Sequence, residues 1–406
     1  MRDVLTFILA GGKGERLNPL TRDRAKPAVP FGGIYRIIDF TLSNCVNSGL
    51  RRIFLLTQYK SFSLQRHLLE GWNIYSNQLG EFIDIIPAQQ RIGADWYKGT
   101  ADALYQNIYA IQDYDPKLIL ILAGDHIYKM DYRKLIEYHM ERGADMTVGC
   151  IRMPKEESIN FGVIEVDGKN QVTGFQEKPT QPKTVPGTPD QIYGSMGIYL
   201  FNAAVLLNEL ELDAKHSDSG HDFGKNIIPQ MIAKRSKVLA YQFNDEENVS
   251  TYWRDIGTRD AYYQANMDLL GQNPKFNLNQ KSWPLRTYHH QYPPIKVITA
   301  QDEGQAANPS LIEDAIIASG CVIEGARVVR SVLSSNVHVK KRAEVVNSVI
   351  MEGVVIAEGA KIQNAIVDKD NYIPPNTMIG FDIEEERKKF AVTASGIVIV
   401  AKRTPL

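Results

Sequence analysis

Cysteine is scarce in this chain: Cys45, Cys150 and Cys321 are the only three in 406 residues. They lie far apart, with no paired metal-ligand spacing. A disulfide framework and a cysteine metal site are therefore excluded, and a reducing cytoplasmic location is expected. In that compartment the formal sequon Asn248-Val249-Ser250 carries no glycan. An excess of charge of one sign is also missing. The 46 Lys and Arg nearly balance 47 Asp and Glu, for a formal charge of -1, which argues against nucleic acid and acidic membranes as partners. Long apolar runs are absent too. Leu118 to Ala123 is core-strand length, against the roughly 18 residues needed to span a bilayer. Val4 to Ala10 is apolar but runs into Gly-Gly-Lys-Gly-Glu-Arg without a small-residue cleavage site, so no signal peptide is expected. What remains is an ordinary globular composition, 44% apolar and 23% charged, in a chain long enough for two domains.

The first 272 residues alternate short apolar runs with helix-like stretches, the pattern of an α/β domain. Val4–Ala10, Ile53–Thr57, Leu118–Ala123 and Met146–Cys150 read as buried strands. Gly162–Val166 and Val172–Glu177 alternate, and the turn at 168–170 makes them a hairpin on an otherwise parallel sheet. Gly197–Phe201 reads as another strand, with Asn202 positioned to cap the helix that follows. Prolines 274, 284, 293, 294 and 309 mark residues 273–310 as a linker. Beyond it, in 311–406, Ile316, Leu333, Ile350 and Val367 recur every 17 residues. So do Val322, Val339, Ile356 and Ile373, and likewise Val328, Val345, Ile362 and Ile379. Three aliphatic positions per coil are what a triangular parallel β-helix requires, each side sending one residue inward. An antiparallel sandwich is the alternative, and twelve matching positions argue against it.

After the first strand comes Leu9-Ala10-Gly11-Gly12-Lys13-Gly14-Glu15-Arg16-Leu17. Its glycines let backbone N–H groups crowd around an anion. A dinucleotide fingerprint starting at Gly12 would need a third glycine at 17, which is leucine. No Gly-Lys-Ser/Thr closes a Walker loop either. Arg16 and Lys26 add cations able to clamp a polyphosphate.

Leu120-Ile121-Leu122-Ala123-Gly124-Asp125 ends an apolar strand on the side where α/β sheets bind ligands. A second aspartate, Asp255, lies in Trp253-Arg254-Asp255-Ile256-Gly257-Thr258. Brought together, the two could hold Mg²⁺; the alternative is that each caps the next helix. His126 reads as structural, since no nucleophile lies near it. Glu177-Lys178-Pro179 ends the hairpin, either as a phosphate and sugar contact or as a solvated turn. Trp96-Tyr97-Lys98-Gly99-Thr100-Ala101 offers aromatics and a small turn suited to a base or a sugar. Asp222-Phe223-Gly224 has the letters of a kinase triplet, but no catalytic-loop motif precedes it, and it is set aside.

Taken together, AGGKGERL (10–17), RAKPAVPFGGIYRIIDFTLSNC (24–45), PAQQR (87–91), WYKGTADA (96–103), ILAGDHIY (121–128), EKP (177–179), SMGIYLF (195–201), HDFGKNIIP (221–229) and YWRDIGT (252–258) resemble bacterial glucose-1-phosphate adenylyltransferases, the ADP-glucose pyrophosphorylases. The likeness spans nearly the whole chain. It implies a nucleotidyltransferase domain with a mixed, mainly parallel sheet, followed by a C-terminal left-handed parallel β-helix. It implies ATP and glucose 1-phosphate as substrates, ADP-glucose and pyrophosphate as products, and α-glucan synthesis as the destination.

By the same resemblance, Gly11, Gly12, Gly14 and Arg16 would hold the ATP phosphates, with Lys26 beside them, and Gly124 would also belong to the ATP-binding set. Gln89 or Gln90, with Gly99, Thr100 and Ala101, would form the adenine side. Tyr97, Gly162, Glu177, Lys178 and Ser195 match glucose-1-phosphate contacts, and Asp125 and Asp255 match the magnesium carboxylates. The catalytic set it implies is Arg16, Lys26, Asp125, Lys178 and Asp255. A homotetramer and an anionic effector bound between the domains are also implied, with Arg24, Arg36 and Lys388 or Lys389 as effector residues. Asp23 and Pro30, however, stand where activated relatives carry a lysine and a histidine. A reversed charge beside an anion site predicts a weak or altered response to fructose 1,6-bisphosphate. The rival readings are transfer from UTP or dTTP, a non-catalytic regulatory subunit, and acyl transfer on the β-helix. Intact site residues oppose the second, and His338 as the β-helix's sole histidine opposes the third.

Overall fold

The computed structural model describes residues 1–91, 95–244, 251–301 and 307–406; Asn248 and its sequon lie outside them. Among the described residues, no helix is long and apolar enough to cross a membrane.

The continuous apolar runs become the centre of a nine-stranded sheet. Leu118–Ala123, Val4–Leu9, Arg52–Thr57 and Phe82–Pro87 lie side by side and parallel. Strands covered on both faces need apolar residues throughout, and these split by parity. Leu5, Phe7, Phe54 and Ile121 enter one core; Val4, Ile8, Leu55 and Leu122 enter the other. The strand Gln191–Asn202 is antiparallel to Leu118–Ala123 and carries the hairpin Gly162–Val166/Val172–Glu177 on one flank. It also pairs with Met146–Pro154, which in turn pairs with Val238–Gln242. Asn202 occupies the N-cap position of the helix Ala203–Ala214 without capping it. Its amide instead donates to the Ala144 carbonyl at 2.8 Å and meets His139. Val4–Leu9 has neighbours reached in opposite directions along the sheet. That is the switch point beside which such sheets open a ligand crevice.

The C-terminal region is a triangular parallel β-helix with three sheets, one on each side. From Val328 to Ile379 the columns keep the 17-residue register: Val328, Val345, Ile362 and Ile379, for example. The first coil is one residue shorter. Ile317, not Ile316, stands beside Leu333, and Ile323, not Val322, beside Val339. Ile316 and Val322 therefore miss the inward column, and Ile317 and Ile323 pack on the core instead. The helix also begins before residue 311. Lys296–Ile298, inside the proline-marked segment 273–310, is the first rung of one side. The corners are built from left-handed residues in three columns: Arg330, Asn347, Asn364; Asn336, Gly353, Asp370; and Arg342, Gly359, Asn376. Asn, Asp and Gly tolerate that conformation best, which accounts for seven of these nine.

The two regions share an apolar cluster. Val29, Phe31, Phe40 and Tyr262 pack with Val349, Met351, Ile366 and Ile399. Inside this interface Arg24 donates from both Nη1 and Nη2 to Asp368 Oδ1, each at 2.9 Å, with both residues buried.

Candidate active site

The site grows from the carboxyl ends of the parallel strands. Leu9 leads into the glycine loop, Thr57 into Gln58, and Ala123 into Gly124 and Asp125. Gly14 adopts φ +65 with its carbonyl bound by the Thr21 hydroxyl at 2.8 Å, and a Cβ there would press on Lys26 Cβ at 3.1 Å. A side chain at this turn would therefore displace Lys26.

Lys26 is the centre of the site. Its Nζ donates to Asp125 Oδ2 at 2.6 Å and to Asp255 Oδ1 at 2.8 Å. Neither aspartate caps a helix. Asp125 precedes the short strand His126–Tyr128, which pairs antiparallel with Trp253–Asp255 and so brings the two carboxylates together. Thr258, not Asp255, caps the helix Arg259–Met267. Burial alone would push the Asp125 carboxyl up, but Lys26 and His126 beside it bring it down to about 2. Burial works against the Lys26 ammonium, yet the two carboxylates outweigh it and raise its pKa.

His126 packs edge-on against Trp253, with centroids 4.8 Å apart. Its Nε2 lies 3.5 Å from Asp125 Oδ1 and 3.9 Å from Asp255 Oδ1, while its buried Nδ1 has no hydrogen-bond partner among the described residues. Ligand atoms of Asp125, His126 and Asp255 all fall within 4.8 Å of one another. Two carboxylates converging on one cation suit Mg²⁺, which completes its shell with water and phosphate oxygens; an imidazole is a poor ligand for it.

Above this pair opens a cleft of about 560 Å³ lined by Gly11, Gly12, Tyr97, Gly99, Thr100, Asp125 and Glu177. Gly124 donates its N–H to the Leu9 carbonyl beneath it. Ala101 is buried in the core, so it shapes the wall from behind. Gln89 and Gln90 are exposed just past the strand Phe82–Pro87 and do not line the cleft. Nor do Gly162, Lys178 and Ser195. Lys178 adopts a left-handed φ of +49, its N–H donating to the Phe161 carbonyl and its Nζ 3.5 Å from Glu177 Oε1. Arg16 is exposed and, with Asp255, lines a second cleft of about 670 Å³.

Sequence reasoning missed Gln58, Gly197, Tyr199 and the triplet Asp222-Phe223-Gly224, all of which line the first cleft. The triplet falls within HDFGKNIIP (221–229), a stretch that carries the family resemblance, but its letters alone assign it no role in the site. Asp222 here accepts from the Thr100 hydroxyl at 3.0 Å and from the N–H groups of Gly224 and Lys225.

A small cavity of about 50 Å³ lies between the two regions, lined by Arg36, Lys369, Glu352, His67, His290 and Pro30 among others. Of the expected effector residues it takes in Arg36 alone. Arg24 is bound to Asp368. Lys388 and Lys389 are exposed, with Lys388 Nζ 2.6 Å from Glu385. The β-helix cation at this cavity is Lys369.

The nucleotidyl transferase family model matches residues 5–272, and the GlmU-like C-terminal hexapeptide model matches 293–400. The second accords with the left-handed form of the β-helix. The chain is 50% identical to a glucose-1-phosphate adenylyltransferase of Methylococcus capsulatus over 98% of this chain and 93% of that one. It is 49% identical to the Rhodopirellula baltica enzyme of that name, over 99% and 90% of the two chains. Against glucose-1-phosphate adenylyltransferase 2 of Vibrio cholerae the figures are 48%, 98% and 98%. With its glycine loop, its lysine-bridged carboxylates and these full-length likenesses, the chain belongs to the nucleotidyl transferase family, among the glucose-1-phosphate adenylyltransferases.

Proposed function

We infer that the chain transfers the adenylyl group of ATP to glucose 1-phosphate, releasing pyrophosphate and giving ADP-glucose for α-glucan synthesis. The observation that carries this reading is the convergence of Lys26, Asp125 and Asp255 beside a glycine loop, in a chain similar along its whole length to enzymes of that name. A phosphate oxygen of glucose 1-phosphate attacks the α-phosphorus in line, its bond to that phosphorus forming as the bond to pyrophosphate breaks. The attacking oxygen is already anionic near neutral pH, so no general base is required. The protein's task is to hold two anions in contact and offset their repulsion. Asp125 and Asp255 would hold Mg²⁺, which supplies charge neutralisation on the phosphates. Lys26, relieved of its carboxylates, would then face phosphate, with Arg16 and Lys178 as further cations. Comparing pyrophosphate release from ATP, UTP, dTTP, CTP and GTP with glucose 1-phosphate tests the reading. ATP must be preferred by at least about tenfold in kcat/KM, and a preference for UTP or dTTP would overturn it.

We also propose a homotetramer, tested by light scattering, and a cytoplasmic setting, supported by three cysteines that are all buried and unpaired. An anionic effector would be held between the two regions by Arg36 and Lys369. The cavity there accommodates no more than a few waters as it stands, so Arg36 and Lys369 would have to swing aside for it.

A further inference from the structure

The cleft wall at Gly99–Ala101 is held by a loop far away in sequence. The N–H groups of Ala101 and Asp102 donate to the His221 carbonyl at 2.8 and 3.3 Å. The Thr100 hydroxyl accepts from the Phe223 N–H at 3.0 Å. At Gly99 a Cβ would stand 2.2 Å from the His221 oxygen, so the two segments touch backbone to backbone. Where His221 stands therefore decides where the wall stands.

His221 itself has a left-handed φ of +51, an unfavourable conformation for a residue with a side chain. Three hydrogen bonds, made with two side chains behind it, hold that turn. Asp213 Oδ2 lies 2.7 Å from His221 Nδ1, the Ser219 hydroxyl donates to Asp213 Oδ1 at 2.6 Å, and the His221 N–H donates to Ser219 Oγ at 3.0 Å. Asp213 is 4% exposed and sits in the last turn of the helix Ala203–Ala214. Burial and the negative end of the helix dipole both oppose a carboxylate there. Its place is accounted for by the two partners it fixes. Neither Asp213, Ser219 nor His221 lines the cleft.

We propose that Asp213 is a positioning residue for nucleotidyl transfer: through His221 Nδ1 and Ser219 it fixes the turn whose carbonyl sets the Gly99–Ala101 wall. The inference rests on the function proposed above, with ATP as the nucleotide on that wall. The test is initial-rate kinetics and thermal unfolding of Asp213→Ala and Asp213→Asn beside the parent. The parent's own turnover of ATP and glucose 1-phosphate is measured first, so failure of the functional reading is seen separately. Asp213→Ala should raise KM for ATP about tenfold while kcat and KM for glucose 1-phosphate stay within about threefold. Asp213→Asn, which keeps an acceptor for His221, should restore KM to within about threefold. If Asp213→Ala fails to fold, Ser219→Ala carries the same test, with a rise of about threefold or more in KM for ATP expected. A folded Asp213→Ala or Ser219→Ala with unchanged KM for ATP, or an Asn variant as impaired as the Ala variant, overturns the proposal.

Discussion

Arg24 and Asp368 offer a sharp test of how the two regions are joined. Both side chains are almost fully buried, at 6% and 1% exposure, and Asp368 Oδ1 also accepts from the Lys369 N–H at 2.7 Å. Removing one partner strands the other's charge in the interface. Asp368→Ala should therefore cost about 3–5 kcal/mol, far more than an exposed ion pair's contribution of about 1 kcal/mol or less. The double variant Arg24→Met/Asp368→Leu removes both charges and fills the space with apolar groups. It should recover most of that loss, because paired buried charges repay little beyond their own desolvation. Urea and thermal unfolding of the parent, the two single variants and the double variant form the cycle, read from the transition that exposes the shared apolar cluster. Turnover should fall in Asp368→Ala as well, since Arg24 lies two residues from Lys26. Single variants that each cost under about 1 kcal/mol, or a double variant that costs their sum, would refute the reasoning.

Three further outcomes follow from the site. Asp125→Asn should lower kcat by at least about a hundredfold with its circular dichroism spectrum unchanged, since the site loses one of the two carboxylates that would hold the phosphate-neutralising cation; near-normal turnover would remove Asp125 from the mechanism. The Asp125 carboxyl is depressed from an ordinary 3.8 to about 2 in the folded chain. Its contribution to stability is thus fully present above the ordinary value and is lost as pH falls from there through about 2. In metal-free protein, the stability difference between parent and Asp125→Asn should stay constant above about pH 5 and shrink towards pH 2. Fructose 1,6-bisphosphate should activate weakly, because Asp23 is acidic, Pro30 offers no donor, and the cavity beside Arg36 holds about 50 Å³; strong activation at saturating substrate would contradict this.

Features set by local chemistry were legible in the sequence. Strands such as Leu118–Ala123 are apolar throughout because both faces are covered, and the β-helix period shows because each coil repeats one inward residue per side. Phe82–Pro87 and Val238–Gln242 went unread. The first interrupts its apolar run with Asp84, and the second is only five residues long and lies at the margin of the sheet. The shortened first coil was hidden by adjacent aliphatics: Ile316-Ile317 and Val322-Ile323 each offer two candidates, and only strand pairing chooses. In the site, the glycine loop and Asp125 could be reached from strand ends. Asp222 could not, because its part depends on meeting Thr100, 122 residues earlier. The same distance effect turned Arg24 from an expected anion contact into a partner of Asp368, 344 residues away.

The corner columns of the β-helix have a consequence for how this fold can change length. Each coil closes only if its three left-handed corners fall at the same offsets as those below, and from Arg330 onward that offset is 17. An insertion of one or two residues within a side would rotate every later aliphatic out of the interior and move every later corner onto a residue unable to turn there. An insertion of a whole coil would leave all of them in step. The domain can therefore grow or shrink in units of one coil, and shorter changes are confined to its ends, where the first coil already runs at 16.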